Sequence, residues 1–272
     1  MKTDASSEIK QIVKEHYSEI AEQSEKPAGT TCCGASCGCS SDFDVMVEDY
    51  SHVKGYVKEA DLALGCGIPT EFANINPGDT VVDLGSGAGN DCFVARSIVG
   101  DNGRVIGIDM TEAMINKANA NNAKLGFTNV EFRLGDIEHM PLESDVADVV
   151  VSNCVLNLVP DKPKAFAEMF RVTKPGGHFA ISDIVLRGTL PPKLQKDAAM
   201  YAGCVAGAIQ KDEYLGLLES SGFTKISVPK DREIVLPNEF LLEYLTLDEL
   251  RGMKRDHLGI FSITVVGEKP RK

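Results

Sequence analysis

The run Asp83-Leu-Gly85-Ser86-Gly87-Ala-Gly89 sets three closely spaced glycines directly after an acid, at the end of the apolar stretch Thr80 to Leu84. Glycines there let the chain turn sharply and let a cofactor lie against bare backbone at a helix N-terminus. A nicotinamide-type dinucleotide loop has GxGxxG spacing and offers its helix dipole to a pyrophosphate. Here the spacing is GxGxG, and the carboxylate of Asp83 repels a pyrophosphate but suits the ammonium group of a methionine moiety. Asp109, with Met110 after it, ends the next apolar stretch about twenty residues further on, where a carboxylate accepts from both ribose hydroxyls. Asp136, in Gly135-Asp136-Ile137, is expected to accept from an adenine amino group while Ile137 covers the ring. Turn acids in a plain α/β domain would explain one such residue. Three acids at three successive strand ends argue against that reading. The candidate cofactor residues are Asp83, Gly85, Ser86, Gly87, Gly89, Asp109, Met110, Asp136, Ile137 and Asn153.

Eight cysteines form a second set of reactive groups. Cys154, in Ser152-Asn153-Cys154, follows the fourth strand, whose carboxyl end faces the ligand crevice of an open parallel sheet. Cys66 sits in Gly65-Cys66-Gly67, read as a flexible loop before the core, and Cys204 in Gly203-Cys204-Val205 on a later helix. Small neighbours let each thiol approach a compact ligand. Taken singly, each also fits a small buried hydrophobe, the reading given to Cys92. Cys32, Cys33, Cys37 and Cys39 cluster in a Gly/Ser-rich stretch whose spacing matches no trusted zinc pattern. His139 and His178 receive no assignment.

These residues need a frame to converge. Residues 8–21 predict an amphipathic helix with Ile9, Ile12, Val13, Tyr17 and Ile20 on one face. The segment SEKPAGTTCCGASCGCSS reads as a loop. From Thr80, strands and helices alternate: TVVDL, then DCFVARSIVG closed by Gly100; RVIGID, then TEAMINKANANNAKLG with Thr111 as N-cap and Gly126 as stop; VEFRLGD; ADVVVSN; PDKPKAFAEMFRVTKPGG with proline entry and glycine exit; and HFAISDIVL. Such alternation predicts an α/β fold with a doubly wound, mostly parallel sheet. Further on, PPKLQKDAAMYAGCVAGAI and KDEYLGLLESSG read as helices, while FTKISV and IFSITVVGEK are strands that can complete the sheet. The expected organisation is an N-terminal helix and Cys-rich loop over 1–60, a cofactor-binding core over 61–187, and a C-terminal α+β extension over 188–272.

Composition narrows the function classes. A net charge of -12 disfavours nucleic acid or an anionic membrane surface as partner. No run is long and apolar enough to span a bilayer, and MKTDASSEIK lacks the apolar core of a signal peptide. A cytoplasmic protein is expected, and in a reducing compartment cysteines are ligands, redox groups or core residues rather than a disulfide framework.

The string VVDLGSGAGND…GIDM…GDIEHMP resembles the class I methyltransferases that use S-adenosylmethionine as cofactor. From about Cys66 to about Ile209 the chain is similar to arsenite methyltransferases, most specifically in SNCVLNLVPDK, the GCG loop and GCVAGAI. That resemblance implies methyl transfer to trivalent arsenic for detoxification, with Cys66, Cys154 and Cys204 as its ligands and arsenite or its thiol conjugates as substrate. It also implies an N-terminal cysteine, best matched by Cys32 and Cys33, that pairs with Cys66 during turnover and is reopened by thioredoxin or a small thiol. The chemistry is coherent, because trivalent arsenic is soft and prefers thiolates. Two alternatives stay open: a small-molecule C- or O-methyltransferase of the quinone or sterol type, and a metalloid-binding sensor or scavenger.

Overall fold

A computed structural model describes residues 2–23, 47–188, 207–235, 237–242 and 245–271. β-Branched apolar runs form strands β1 (Thr80–Leu84), β2 (Arg104–Asp109), β3 (Val130–Leu134) and β4 (Ala147–Asn153). Longer strands follow: β5 (Thr173–Arg187), β6 (Thr224–Glu233) and β7 (Gly259–Glu268). Among the described residues they make one sheet in the order β3-β2-β1-β4-β5-β7-β6. The first five strands run parallel, while β7 is antiparallel to both β5 and β6. The chain order reverses between β1 and β4, and the loops leaving these two strands carry the glycine run and Cys154.

The described helices are α1 (Lys2–Gln23), α2 (Asn90–Val99), α3 (Glu112–Leu125), α4 (Lys162–Val172), α5 (Lys211–Ser220), α6 (Asn238–Leu241) and α7 (Leu247–Arg255). None is long and apolar enough to cross a membrane. Alternate strand residues serve opposite faces of the sheet. Val82, Leu84, Ile106, Ile108 and Val150 pack with Phe166 and Met169 of α4 and Tyr214 and Leu218 of α5. Val81, Val105, Val149 and Val151 pack with Cys92, Phe93 and Val99 of α2. Both faces are covered, which is why these strands read as unbroken apolar runs rather than alternating ones. A third cluster joins Ile184 and Leu186 of β5 and Ile260 of β7 to Leu241 of α6, to Leu245 just before α7 and to Leu250 of α7, and includes Cys66 and Cys154.

The strands and helices of the core fall where the sequence places them, with four differences. Helix α1 is longer than expected, and Ile9 and Ile12 are 46% and 60% exposed. Its inward side is instead set by Val13 and Tyr17, which line a cavity, and by buried Ala21. Thr111 is the N-cap residue of α3 but its side chain makes no capping bond; its own amide instead donates to Asp109 Oδ1 (2.8 Å). Helix α4 ends at Val172 and runs straight into β5, so the Lys174-Pro-Gly-Gly177 turn lies inside the strand. Helix α7 was missed, although Thr246 and Glu249 form a capping box whose S/T-x-x-E spacing is legible in the sequence. The helix expected over 191–209 falls mostly outside the described residues.

Candidate active site

The three glycines after β1 do different work. Gly85 has φ 73°, and a Cβ there would lie 2.3 Å from the Val155 side chain, so the loops after β1 and β4 touch only because this residue is glycine. Gly87 has φ 50° and nothing within 4 Å of its Cβ position, which leaves bare backbone facing the cavity. Gly89 begins α2 with φ 99° and backs onto Phe132 and Phe93; it does not line the cavity. The amides of Gly85 and Ser86 donate to the Ile108 carbonyl (2.7 and 3.0 Å), which ties the glycine loop to the end of β2.

The cavity lies at the carboxyl ends of β1, β2, β3 and β4, and Asp83, Gly85, Ser86, Gly87, Asp109, Met110, Asp136, Ile137, Asn153 and Cys154 are all among its lining residues. Its charge is one-sided: Asp61, Asp83, Asp91, Asp109 and Asp136 line it, and among the described lining residues Lys10 is the only basic one. Burial and the neighbouring Asp91 push the Asp83 carboxyl well above the ordinary carboxylate range, against the Cys92 thiol, which donates to Asp83 Oδ2 (3.2 Å). Burial lifts Asp91 to about 6, opposed by hydrogen bonds from Asn153 and Tyr50. Burial also raises Asp109, whose Oδ2 accepts the Gly87 amide at 3.0 Å. Asp136 accepts the Glu138 amide at Oδ1 (2.9 Å) and Lys10 Nζ at Oδ2 (2.6 Å).

Asn153 joins the cofactor side to the thiol side. Its Nδ2 donates to the Gly67 carbonyl (2.8 Å) and the Tyr50 hydroxyl oxygen (2.7 Å), and lies 3.2 Å from Asp91 Oδ2. Its Oδ1 accepts the amides of Cys66 (3.1 Å) and Gly67 (3.3 Å). The Tyr50 hydroxyl in turn lies 2.9 Å from Asp91 Oδ1 and from the Gly67 carbonyl. The Gly65-Cys66-Gly67 segment is therefore pinned, contrary to the flexible loop expected. Cβ atoms at Gly65 and Gly67 would lie 2.5 Å from Asn153 Nδ2 and Ser182 Oγ, and Ser262 Oγ donates to the Cys66 carbonyl (2.7 Å).

Cys66 and Cys154 are 1% and 3% exposed and belong to one apolar cluster. Cys154 has φ 60°, an uncommon conformation for a residue with a Cβ, held by its amide donating to the Ser182 carbonyl (2.8 Å). It lines the cavity, whereas Cys66 lies behind Gly65, which does. Cys92, on α2, is buried against the sheet as expected of a core residue. Cys32, Cys33, Cys37, Cys39 and Cys204 lie outside the described residues. His178 Nε2 is 2.6 Å from the Ala73 carbonyl, a structural contact. Among the described residues no group of three or more His, Cys, Asp or Glu is arranged to hold a metal ion.

Sequence reasoning missed Lys10, Tyr50 and Asp91. Lys10, Val13 and Tyr17 share a helical face, a spacing that was available. Asp91 stands in the first turn of α2, where acids are common, so its type alone carries no signal. Nothing local marks Tyr50, whose partner Asp91 is 41 residues away.

The strand order, the reversed β7 between β5 and β6, and the glycine-and-acid crevice define a class I, Rossmann-like methyltransferase fold. Residues 75–222 match the methyltransferase domain family. Over 238 residues the chain is 44% identical to an arsenite methyltransferase of Halobacterium salinarum, covering 82% of this chain and 60% of that protein. Over 240 residues it is 32% identical to an arsenite methyltransferase of Aquipseudomonas alcaligenes, covering 86% and 67%. The crystal structure of CrArsM, an arsenic(III) S-adenosylmethionine methyltransferase from Chlamydomonas reinhardtii, superposes with TM-score 0.60 at 31% identity, covering 76% of this chain and 67% of that one. The chain therefore belongs to the methyltransferase domain family and, within it, to the arsenite methyltransferase family. It spans 60% of the length of the Halobacterium relative.

Proposed function

We propose that this chain transfers methyl groups from S-adenosylmethionine to trivalent arsenic held by cysteine thiolates. The observation that carries this reading is the position of Cys154: it lines the acid-rimmed cavity and shares a buried cluster with Cys66. Thiols at that strand end suit a soft, thiophilic acceptor rather than a carbon or oxygen nucleophile.

S-adenosylmethionine fits the donor set present. Carboxylates predominate around the cavity, which favours a ligand of net positive charge and disfavours a pyrophosphate. Ser86 Oγ and Asn90 Oδ1 line the cavity buried and without a hydrogen-bond partner among the described residues, so a polar ligand satisfies them. When bound, this cofactor supplies a methyl group made electrophilic by a positively charged sulfur. In the proposed assignment, Asp83 and Asp91 face the ammonium, Asp109 accepts from the ribose hydroxyls, Asp136 accepts from the adenine amino group and Ile137 covers the ring.

Cys66, Cys154 and Cys204 are proposed as the arsenic ligands. Three thiolates leave trivalent arsenic its lone pair, which forms the new arsenic–carbon bond as the carbon–sulfur bond breaks and its electron pair stays on the departing sulfur. No proton is lost from arsenic, so no general base is needed. The protein contributes orientation, and the aliphatic surroundings of Cys66 and Cys154 exclude water from a step that neutralises charge. Transfer raises arsenic by two oxidation levels. Two thiols closing to a disulfide return it to the trivalent state; Cys32 or Cys33 with Cys66 is the proposed pair, and thioredoxin or a small thiol reopens it. A chemistry that needs reduced thiols fits the cytoplasm.

The test is to incubate the protein with arsenite, S-adenosylmethionine and a thiol reductant and to separate the arsenic species. Methylated arsenic is expected. Cys66→Ser, Cys154→Ser and Cys204→Ser should each lower its formation by about 100-fold, because a misplaced acceptor loses the in-line geometry. Recovery of inorganic arsenic alone overturns the substrate assignment, as does undiminished turnover by Cys154→Ser.

A further inference from the structure

Helix α1 lies outside the strand–helix alternation of the core, yet it forms a wall of the cofactor cavity. It packs on α3, and Lys10, Val13 and Tyr17, spaced along one helical face, line the cavity. Lys10 Nζ lies 2.6 Å from Asp136 Oδ2 and 2.6 Å from Glu138 Oε2. The Glu138 side chain is 6% exposed, and its other oxygen, Oε1, accepts the Asp161 amide at 3.1 Å. Asp161 is the N-cap residue of α4 and closes the loop that starts at Cys154. One lysine thus connects α1 to the loop after β3 and, through Glu138, to the loop after β4.

The energetics favour closure. Glu138 is a nearly buried carboxylate, and Asp136 is its second-nearest neighbour in the chain. Without Lys10 the two acids lose the cation they share, neither makes another ion pair among the described residues, and a buried unpaired charge is expensive. Lys10 remains charged in this setting: the hydrogen bonds it donates to Asp136 and Glu138 raise its pKa in spite of burial. Each Asp136 oxygen has two acceptor positions, so the Lys10 pair and a ligand amino group can be held together.

We propose that α1 is a lid over the cofactor cavity and that Lys10 is a positioning residue, linking retention of the nucleoside ligand to the loop that carries Cys154. This rests on the cofactor assignment above. Lifting α1 opens the cavity and also releases Glu138 from Lys10, which slackens its hold on Asp161. A held ligand and an ordered Cys154 loop therefore favour each other.

The test uses the full chain with S-adenosylhomocysteine as probe, read by isothermal titration calorimetry and by amide hydrogen exchange. In the wild type the probe should slow exchange across residues 2–23. Lys10→Met should weaken probe binding by about tenfold, a size set by a charge-assisted contact, remove the added protection of α1, and speed exchange in residues 154–161. Lys10→Arg should restore most of both, since the cation returns. Lys10 is at the surface of its helix, so these variants keep the core intact. If the wild type binds the probe while α1 exchange stays unchanged, or if Lys10→Met binds and protects like the wild type, the lid is refuted and the cofactor assignment stands. If the wild type does not bind the probe, both are refuted.

Discussion

Asp91 shows how one side chain sets the behaviour of the site. It is buried, pushed up to about 6 by desolvation, and kept from rising further by the Asn153 amide and the Tyr50 hydroxyl. A ligand's ammonium group prefers the ionised carboxylate, so binding should weaken as pH falls through this range. Tyr50→Phe removes a hydrogen bond that favours the charged form, so Asp91 should titrate higher and the binding profile should move to higher pH. Titrating S-adenosylhomocysteine into both proteins between pH 5 and 8 measures the shift. Coincident profiles would remove Asp91 from the ligand's surroundings. Cys154 carries a different residue-scale message. A residue with a Cβ in the left-handed region costs about 1 kcal/mol, and the Ser182 carbonyl holds it there. Strain of that kind at a cavity wall is an observation that points toward function.

At the scale of elements, the site depends on how closely the loops after β1 and β4 approach. Gly85→Ala would place a methyl 2.3 Å from Val155 at φ 73°. It should weaken S-adenosylhomocysteine binding by about tenfold or more, a loss of roughly 1.4 kcal/mol or greater. Val155→Ala removes the two nearest atoms but leaves its own Cβ at 2.9 Å, so the double variant should recover part of the loss and keep the cost of the left-handed backbone. Additive effects in calorimetry would show that the loops do not press on each other there. The C-terminal elements act on the other side of the thiols. Leu241, Leu245 and Leu250 of the α6–α7 segment pack in the cluster that holds Cys66 and Cys154. Much of this arrangement was legible. The five parallel strands and their helices announced themselves through unbroken apolar runs and glycine stops, because a sheet covered on both faces demands them locally. The packing of α6 and α7 was not, although the capping box of α7 is written locally, since their apolar residues gain meaning only against β5 and β7.

Across the whole molecule, burial of polar groups that do not line the cavity also shapes stability. Asp183 of β5 is fully buried, accepts the Tyr214 hydroxyl of α5 (3.0 Å) and is raised to about 7 by desolvation. Its folded pKa lies above its unfolded one, so between about pH 4 and 7 the native state holds a proton that the unfolded chain has released. Stability from this group is complete below that window and is lost as pH rises through it. Asp183→Asn removes the titration. Urea unfolding should therefore show the variant gaining on the wild type from pH 4.5 to pH 8, by a shift on the order of a few kcal/mol. A constant difference across that range would contradict it. By itself the sequence determined the α/β class, the glycine loop, the acids at successive strand ends and the cysteine after β4, because each is written in residues adjacent in the chain. Only the tertiary structure decided that Lys10 reaches Asp136 across 126 residues, that Asn153 binds the Cys66 backbone across 87, and that Tyr50 meets Asn153 across 103. Side-chain contacts at such separations are set by packing of distant elements, and no local pattern encodes them.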